Sequence, residues 1–136
     1  MEKLAEKQTY QLSFSFSQED VRQFAEISGD KNPIHLDAEY AAKTPFKKPI
    51  VHGFLAGSVF SKIFGTLFPG EGTIYLKQEM SFTRPVYMDT TYEARLEVTS
   101  VDAEKHRAQV ATTIVDKETE KAVIKGEATI MNTDKI

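Results

Sequence analysis

The 136-residue chain is 40% apolar and 27% charged, which suits one folded domain over residues 1–136 and speaks against extended disorder. It has no cysteine, so a disulfide scaffold, a thiolate nucleophile and a cysteine-bound zinc are all excluded. Its 17 basic and 20 acidic residues are evenly spread, leaving a net charge of −3 and no basic patch for nucleic acid.

Residues 1–10 lack the apolar core of a signal peptide. No apolar run is long enough for a membrane span. A cytoplasmic location is expected, with neither membrane nor nucleic acid as partner.

Tyr10, Leu12, Phe14 and Phe16 alternate with Gln11, Ser13 and Ser15, the period of a half-buried strand. Ser17 is a suitable helix N-cap with Asp20 at the third helical position. Val21, Phe24, Ala25 and Ser28 follow at helical spacing, and Gly29 suits the stop. Residues 29–36 read as a polar loop. Asp37 then caps a second short helix through Lys43, with Tyr40 and Ala41 expected to face inward.

Residues 53–68 turn strongly apolar, with side chains on more than one face: Phe54, Leu55, Val59, Phe60, Ile63, Phe64, Leu67 and Phe68. This pattern predicts a central buried helix whose phenylalanines belong to the core. Gly53, Gly57, Ser61 and Gly65 recur every fourth residue, a stripe that lets a sheet or a ligand approach closely.

Four strand-like runs follow. Ile74, Leu76, Met80 and Phe82 are expected to share one face, with Gln78 a buried polar group among them. Tyr92, Ala94, Leu96 and Val98 face away from Glu93, Arg95 and Glu97. Ala108, Val110, Thr112 and Ile114 form the third run, and Ala122, Ile124, Ala128 and Ile130 the fourth. The short connections at 102–105 and 116–121 favour antiparallel hairpins. The sum is an α+β fold: about five antiparallel strands, with a long helix covering one face of the sheet.

Asp30 and His35 share the polar loop, and a carboxylate with an imidazole is the usual pair for moving protons near neutral pH. Asp30 can equally brace the turn, and Asn32 can form an Asx-turn. His52 and Gly53 sit at the start of the apolar helix, where unpaired N–H groups and the positive dipole end suit a developing oxyanion. Gly53 can also serve only a tight turn, and His52 only a cap. Ser61 lacks the Gly-x-Ser-x-Gly elbow of a nucleophile but can donate to a buried carboxylate such as Asp30. No phosphate loop or dinucleotide fingerprint is present. Three histidines in all make a multi-histidine metal site improbable.

The segment FAEISGDKNPIH (24–35), followed by LDAEYA (36–41), PIVHG (49–53) and GTIYL (72–76), resembles the MaoC-like, (R)-specific enoyl-CoA hydratases in the same order over nearly the whole chain. The resemblance implies a hot-dog fold, a curved antiparallel sheet wrapped around a long helix. It implies a homodimer whose sheets join, with an acyl-CoA, or an acyl-carrier-protein thioester, bound along the interface. Asp30 and His35 match the family's catalytic pair, and Gly53 its backbone donor to the thioester oxygen. Ser61 falls where the family has a serine near the catalytic carboxylate; with Asn32 and His52, read from the residues alone, it is expected in a substrate-binding or supporting place. No metal or other cofactor is implied. The implied reaction is reversible syn addition of water to a trans-2-enoyl thioester. A thioesterase, a carrier-protein dehydratase and a non-catalytic partner subunit are the alternatives on the same fold.

Overall fold

In the computed structural model, which describes residues 2–136, five strands and four α-helices follow one another along the chain. Strand β1 (Thr9–Phe14) leads to helices α1 (Gln18–Ser28), α2 (Pro33–Leu36), α3 (Ala38–Ala42) and α4 (Gly53–Lys62). A π-helical turn (Ile63–Leu67) extends α4 before β2 (Ile74–Phe82), β3 (Tyr92–Asp102), β4 (Arg107–Asp116) and β5 (Ala122–Met131). All pairs are antiparallel, in the order β1-β3-β4-β5-β2, so β1 and β2 are the edges.

Local chemistry accounts for the starts and stops. Ser17 Oγ accepts from Asp20 N while the Asp20 carboxylate accepts from Ser17 N, closing a capping box on α1. Gly29 ends that helix in the left-handed region at φ 82°, where a Cβ is costly. Asp37 caps α3 by accepting from Glu39 N and Tyr40 N. The hairpins close on aspartates: Asp102 Oδ1 accepts from Lys105 N, and Asp116 Oδ1 from Glu118 N and Thr119 N.

The core lies between the sheet and α4 with its π turn. Phe60, Ile63 and Phe64 are at most 1% exposed. They meet buried Tyr92, Leu96, Val98, Val110, Ile114, Ile124 and Ile130 from the sheet. Burying each side chain of this size stabilises the fold by about 1.5–3 kcal/mol. The register aligns inward rows across strands, such as Leu96, Thr112, Gly126 and Met80 on β3, β4, β5 and β2.

Several expectations change here. Residues 29–36 are not all loop, because Asn32 caps Pro33 at the first position of a one-turn helix. Tyr40 is 48% exposed; α3 has a single turn, and Ala41 alone reaches the core. Phe54 is 71% exposed, since it points from the first turn of α4 past the sheet edge. Phe16 lies beyond β1, in the linker to α1. Glu93, on the opposite face of β3 from Tyr92 and Ala94, is also buried. The Lys117 ammonium and the Arg95 guanidinium, at 2.8 and 2.6 Å, hold its carboxyl below the usual range.

Strand β2 also departs from simple alternation. Its register against β5 slips between Tyr75 and Lys77, so Leu76 is an extra residue. Tyr75, Gln78 and Met80 turn inward, whereas Ile74, Leu76 and Phe82 stay half exposed at the edge. Gln78, expected to be buried, is only half-buried, and its polar atoms are satisfied: its Nε2 donates to Thr112 Oγ1 and the Glu79 carbonyl, and its Oε1 accepts from Tyr75. Burial pushes the Tyr75 hydroxyl up to about 12, so it remains a donor.

Candidate active site

The loop after α1 places a carboxylate and an imidazole beside the N-terminus of α4. Asp30 follows the helix-ending Gly29, and its N–H donates to Ser28 Oγ. Its Oδ1 accepts from Asn32 N at 3.2 Å, and Asn32 Oδ1 in turn accepts from Ile34 N at 3.2 Å. These Asx contacts leave Oδ2 as the outward oxygen. His35 sits one turn later in α2, 8% exposed, with its carbonyl accepting from Gln18 Nε2.

His35 Nε2 lies 3.9 Å from Asp30 Oδ2. That is too long for a direct hydrogen bond, but a water about 2.8 Å from both atoms would close the triangle at roughly 90°. His35 Nδ1 donates to the Ile50 carbonyl at 2.8 Å. A carbonyl only accepts, so the proton sits on Nδ1 and the lone pair on Nε2, toward Asp30. Burial pulls the His35 pKa below its ordinary 6.5; the Ile50 bond opposes this, His52 adds to it, and Asp30 opposes it least.

His52 joins this pair to α4. Its Nε2 donates to the Asp30 carbonyl at 2.9 Å, and its ring stacks on His35 with centroids 3.8 Å apart. Phe24 of α1 closes the other side at 4.8 Å. His52 is the N-cap of α4 yet makes no side-chain cap bond, so the helix begins at Gly53 with first-turn N–H groups uncapped. Donor atoms of Asp30, His35 and His52 come within 4.8 Å of one another. Two of the ring nitrogens are already bound to carbonyls and the rings stack face to face. Of the other two, His52 Nδ1 is buried without a partner and His35 Nε2 faces Asp30, and one nitrogen facing one carboxylate suits proton transfer rather than a metal.

A cleft of about 440 Å³ lies between α4 and β2, starting one residue past Gly53 and lined by Phe54, Gly57, Ser61, Tyr75, Gln78 and Met80 among others; Asp30 and His35 are not in its wall. The small-residue stripe admits the edge strand: a Cβ on Gly53 would lie 2.7 Å from the Phe82 ring, and one on Gly57 2.8 Å from Met80 Sδ. Gly65 takes no part, having no atom near its Cβ position. A larger hollow of about 710 Å³ on the outer side of α1, between Arg22 and Ile27, contains neither Asp30 nor His35.

Of the predicted residues, the fold brings Asp30, Asn32, His35, His52 and Gly53 together. Ser61 is not among them. Eight residues at 1.5 Å rise set it about 12 Å down the α4 axis, where it lines the cleft and makes no hydrogen bond to Asp30. Sequence reasoning missed Ile50, which acts through its carbonyl and carries no side-chain signal. It also missed Phe82 against Gly53, a contact between two distant elements.

A curved five-stranded sheet over a central helix, with an Asp/His pair beside that helix's N-terminus, defines a hot-dog protein. Residues 2–122 match the MaoC-like domain, and the chain belongs to that family. It is 44% identical over 107 residues to an (R)-specific enoyl-CoA hydratase of Aeromonas caviae, covering 79% of this chain and 80% of that one. It is 39% identical over 119 residues to a 3-hydroxybutyryl-CoA dehydratase of Methylorubrum extorquens, covering 88% and 74%. Among solved structures it is similar to an (R)-hydratase from A. caviae involved in PHA biosynthesis: TM-score 0.91, 40% identity, and 95% and 97% of the two chains covered.

Proposed function

We propose that this protein is a single-domain hydro-lyase of the cytoplasm that adds water to trans-2-enoyl-CoA, giving (R)-3-hydroxyacyl-CoA, and catalyses the reverse dehydration. The carrying observation is the 3.9 Å gap between His35 Nε2 and Asp30 Oδ2, with the His35 tautomer held by Ile50. The names of the relatives point to the same reaction.

Each chemical need has a group to meet it. A water in the gap attacks C3 while His35 Nε2 accepts its proton and Asp30 orients it. Electrons move through C2 to the thioester oxygen, and the Gly53 N–H at the helix N-terminus stabilises the charge that develops there. C2 then takes a proton from the Asp30–His35 pair on the face where hydroxide was added, so one water is consumed and the enzyme is restored. Asn32 supports the pair by holding Asp30 Oδ1, and Ser61 meets the bound acyl chain from the cleft wall.

A homodimer joined through β2 belongs to this reading. The edge strand is nine residues long and leaves Ile74, Leu76 and Phe82 half exposed beside Phe54. An unpaired apolar edge of that kind calls for a partner strand. A second copy would also close the cleft.

With trans-2-butenoyl-CoA, the expected result is loss of the conjugated enoyl absorbance without release of free thiol. Thiol release, from saturated acyl-CoA as readily as from enoyl-CoA, would instead make the protein a thioesterase. The pH dependence has a definite sign. His35 must be neutral to accept a proton, and its pKa is lowered. The acid limb of kcat/KM is therefore expected to have its midpoint below the ordinary histidine value of 6.5. A midpoint above 6.5 contradicts the assignment.

A further inference from the structure

His52 does more than end a loop. It is 2% exposed, and its Nδ1 is buried with no hydrogen-bond partner. A buried polar atom left unpaired is costly, and an apolar ring would fill the same space without that penalty. What an apolar ring cannot supply is the bond from Nε2 to the Asp30 carbonyl. The same imidazole backs the His35 ring at 3.8 Å. It also belongs to the residue immediately before Gly53.

One side chain therefore touches the backbone of the carboxylate, the ring of the base and the start of the oxyanion-binding helix. We propose that His52 is a positioning residue: its imidazole fixes the Asp30–His35 gap relative to the Gly53 N–H, so that the reacting water and the thioester oxygen are held in register. This rests on the hydratase reading for its effect on rate. The arrangement itself can be measured without turnover.

Two variants separate the two contacts. His52→Gln retains an amide able to donate to the Asp30 carbonyl but removes the ring behind His35. His52→Phe retains a ring but removes the donor. Far-UV circular dichroism matching wild type qualifies each variant, and either alone suffices to read the rate.

Misplacement of the pair is expected to lower kcat by about 10- to 100-fold in both, with KM within about threefold of wild type. The titratable groups that face His35 are Asp30 from its loop and His52 from the start of α4. In His52→Gln the His35 imidazole, followed by proton NMR, is expected to titrate closer to 6.5 than in wild type, because the neighbouring imidazole whose charge interaction lowers it is gone.

Wild-type kcat in His52→Phe, or an unmoved His35 titration in folded His52→Gln, overturns the proposal. If wild type fails to hydrate enoyl-CoA, the functional reading falls, and the His35 titration still decides the positioning role.

Discussion

Asp30→Asn is expected to leave the protein folded and to lower kcat/KM for trans-2-butenoyl-CoA by about 10²–10⁴-fold, the span of acid–base groups. The asparagine keeps the shape of the side chain. Its oxygen can still accept from Asn32 N, so the Asx contacts that set the loop survive. The backbone carbonyl that His52 holds is untouched. What changes is the group 3.9 Å from His35 Nε2, which no longer carries charge and can neither orient the water by its charge nor share a proton. Because Asp30 is exposed at the loop, a large loss of stability is not expected. A folded variant within a few-fold of wild-type turnover contradicts the role given to this carboxylate.

Gly126→Ala is expected to produce a large loss of stability, since an added Cβ there meets the closest contact of any glycine in the chain. Gly126 pairs with Thr112 on β4 and Met80 on β2. A Cβ there would lie 1.8 Å from the Glu79 carbonyl oxygen and 3.0 Å from Gln78 Nε2. The nearer atom is main chain and cannot rotate away, so β2 must separate from β5 locally. Overpacking typically costs about 1–3 kcal/mol and more where backbone must move. A fall in Tm of ~10 °C or more is expected from thermal unfolding. Since β2 is the outer wall of the cleft, activity should fall with it. A Tm within about 2 °C of wild type would show that the ladder accommodates the methyl.

Much of this architecture is legible in the chain because it is written locally. The Ser17–Asp20 capping box, the Gly29 stop and the Asp37 cap each depend on a few neighbouring residues. The alternation of Tyr92, Ala94, Leu96 and Val98 matches an uninterrupted buried face. Asp30, His35 and Gly53 stand out because their chemistry and their motif coincide.

The features that stay hidden are set by long-range pairing. The extra residue at Leu76 arises from the register of β2 on β5, some fifty residues apart, and inverts the facing read from Ile74 and Leu76. The exposure of Phe54 follows from where α4 meets the sheet edge, which no helical period encodes. The bonds from His35 to Ile50 and from His52 to Asp30 go to main-chain carbonyls. Every residue carries that acceptor, so no side-chain pattern announces it.

The handedness of the product tests the central claim most directly. The protein is incubated with trans-2-butenoyl-CoA, and the 3-hydroxybutyryl-CoA formed is resolved by its configuration at C3. One water delivered to one face of the bound thioester predicts a single enantiomer, and the (R)-specific relatives make (R) the expected one. An (S) or racemic product, or none, would contradict the account.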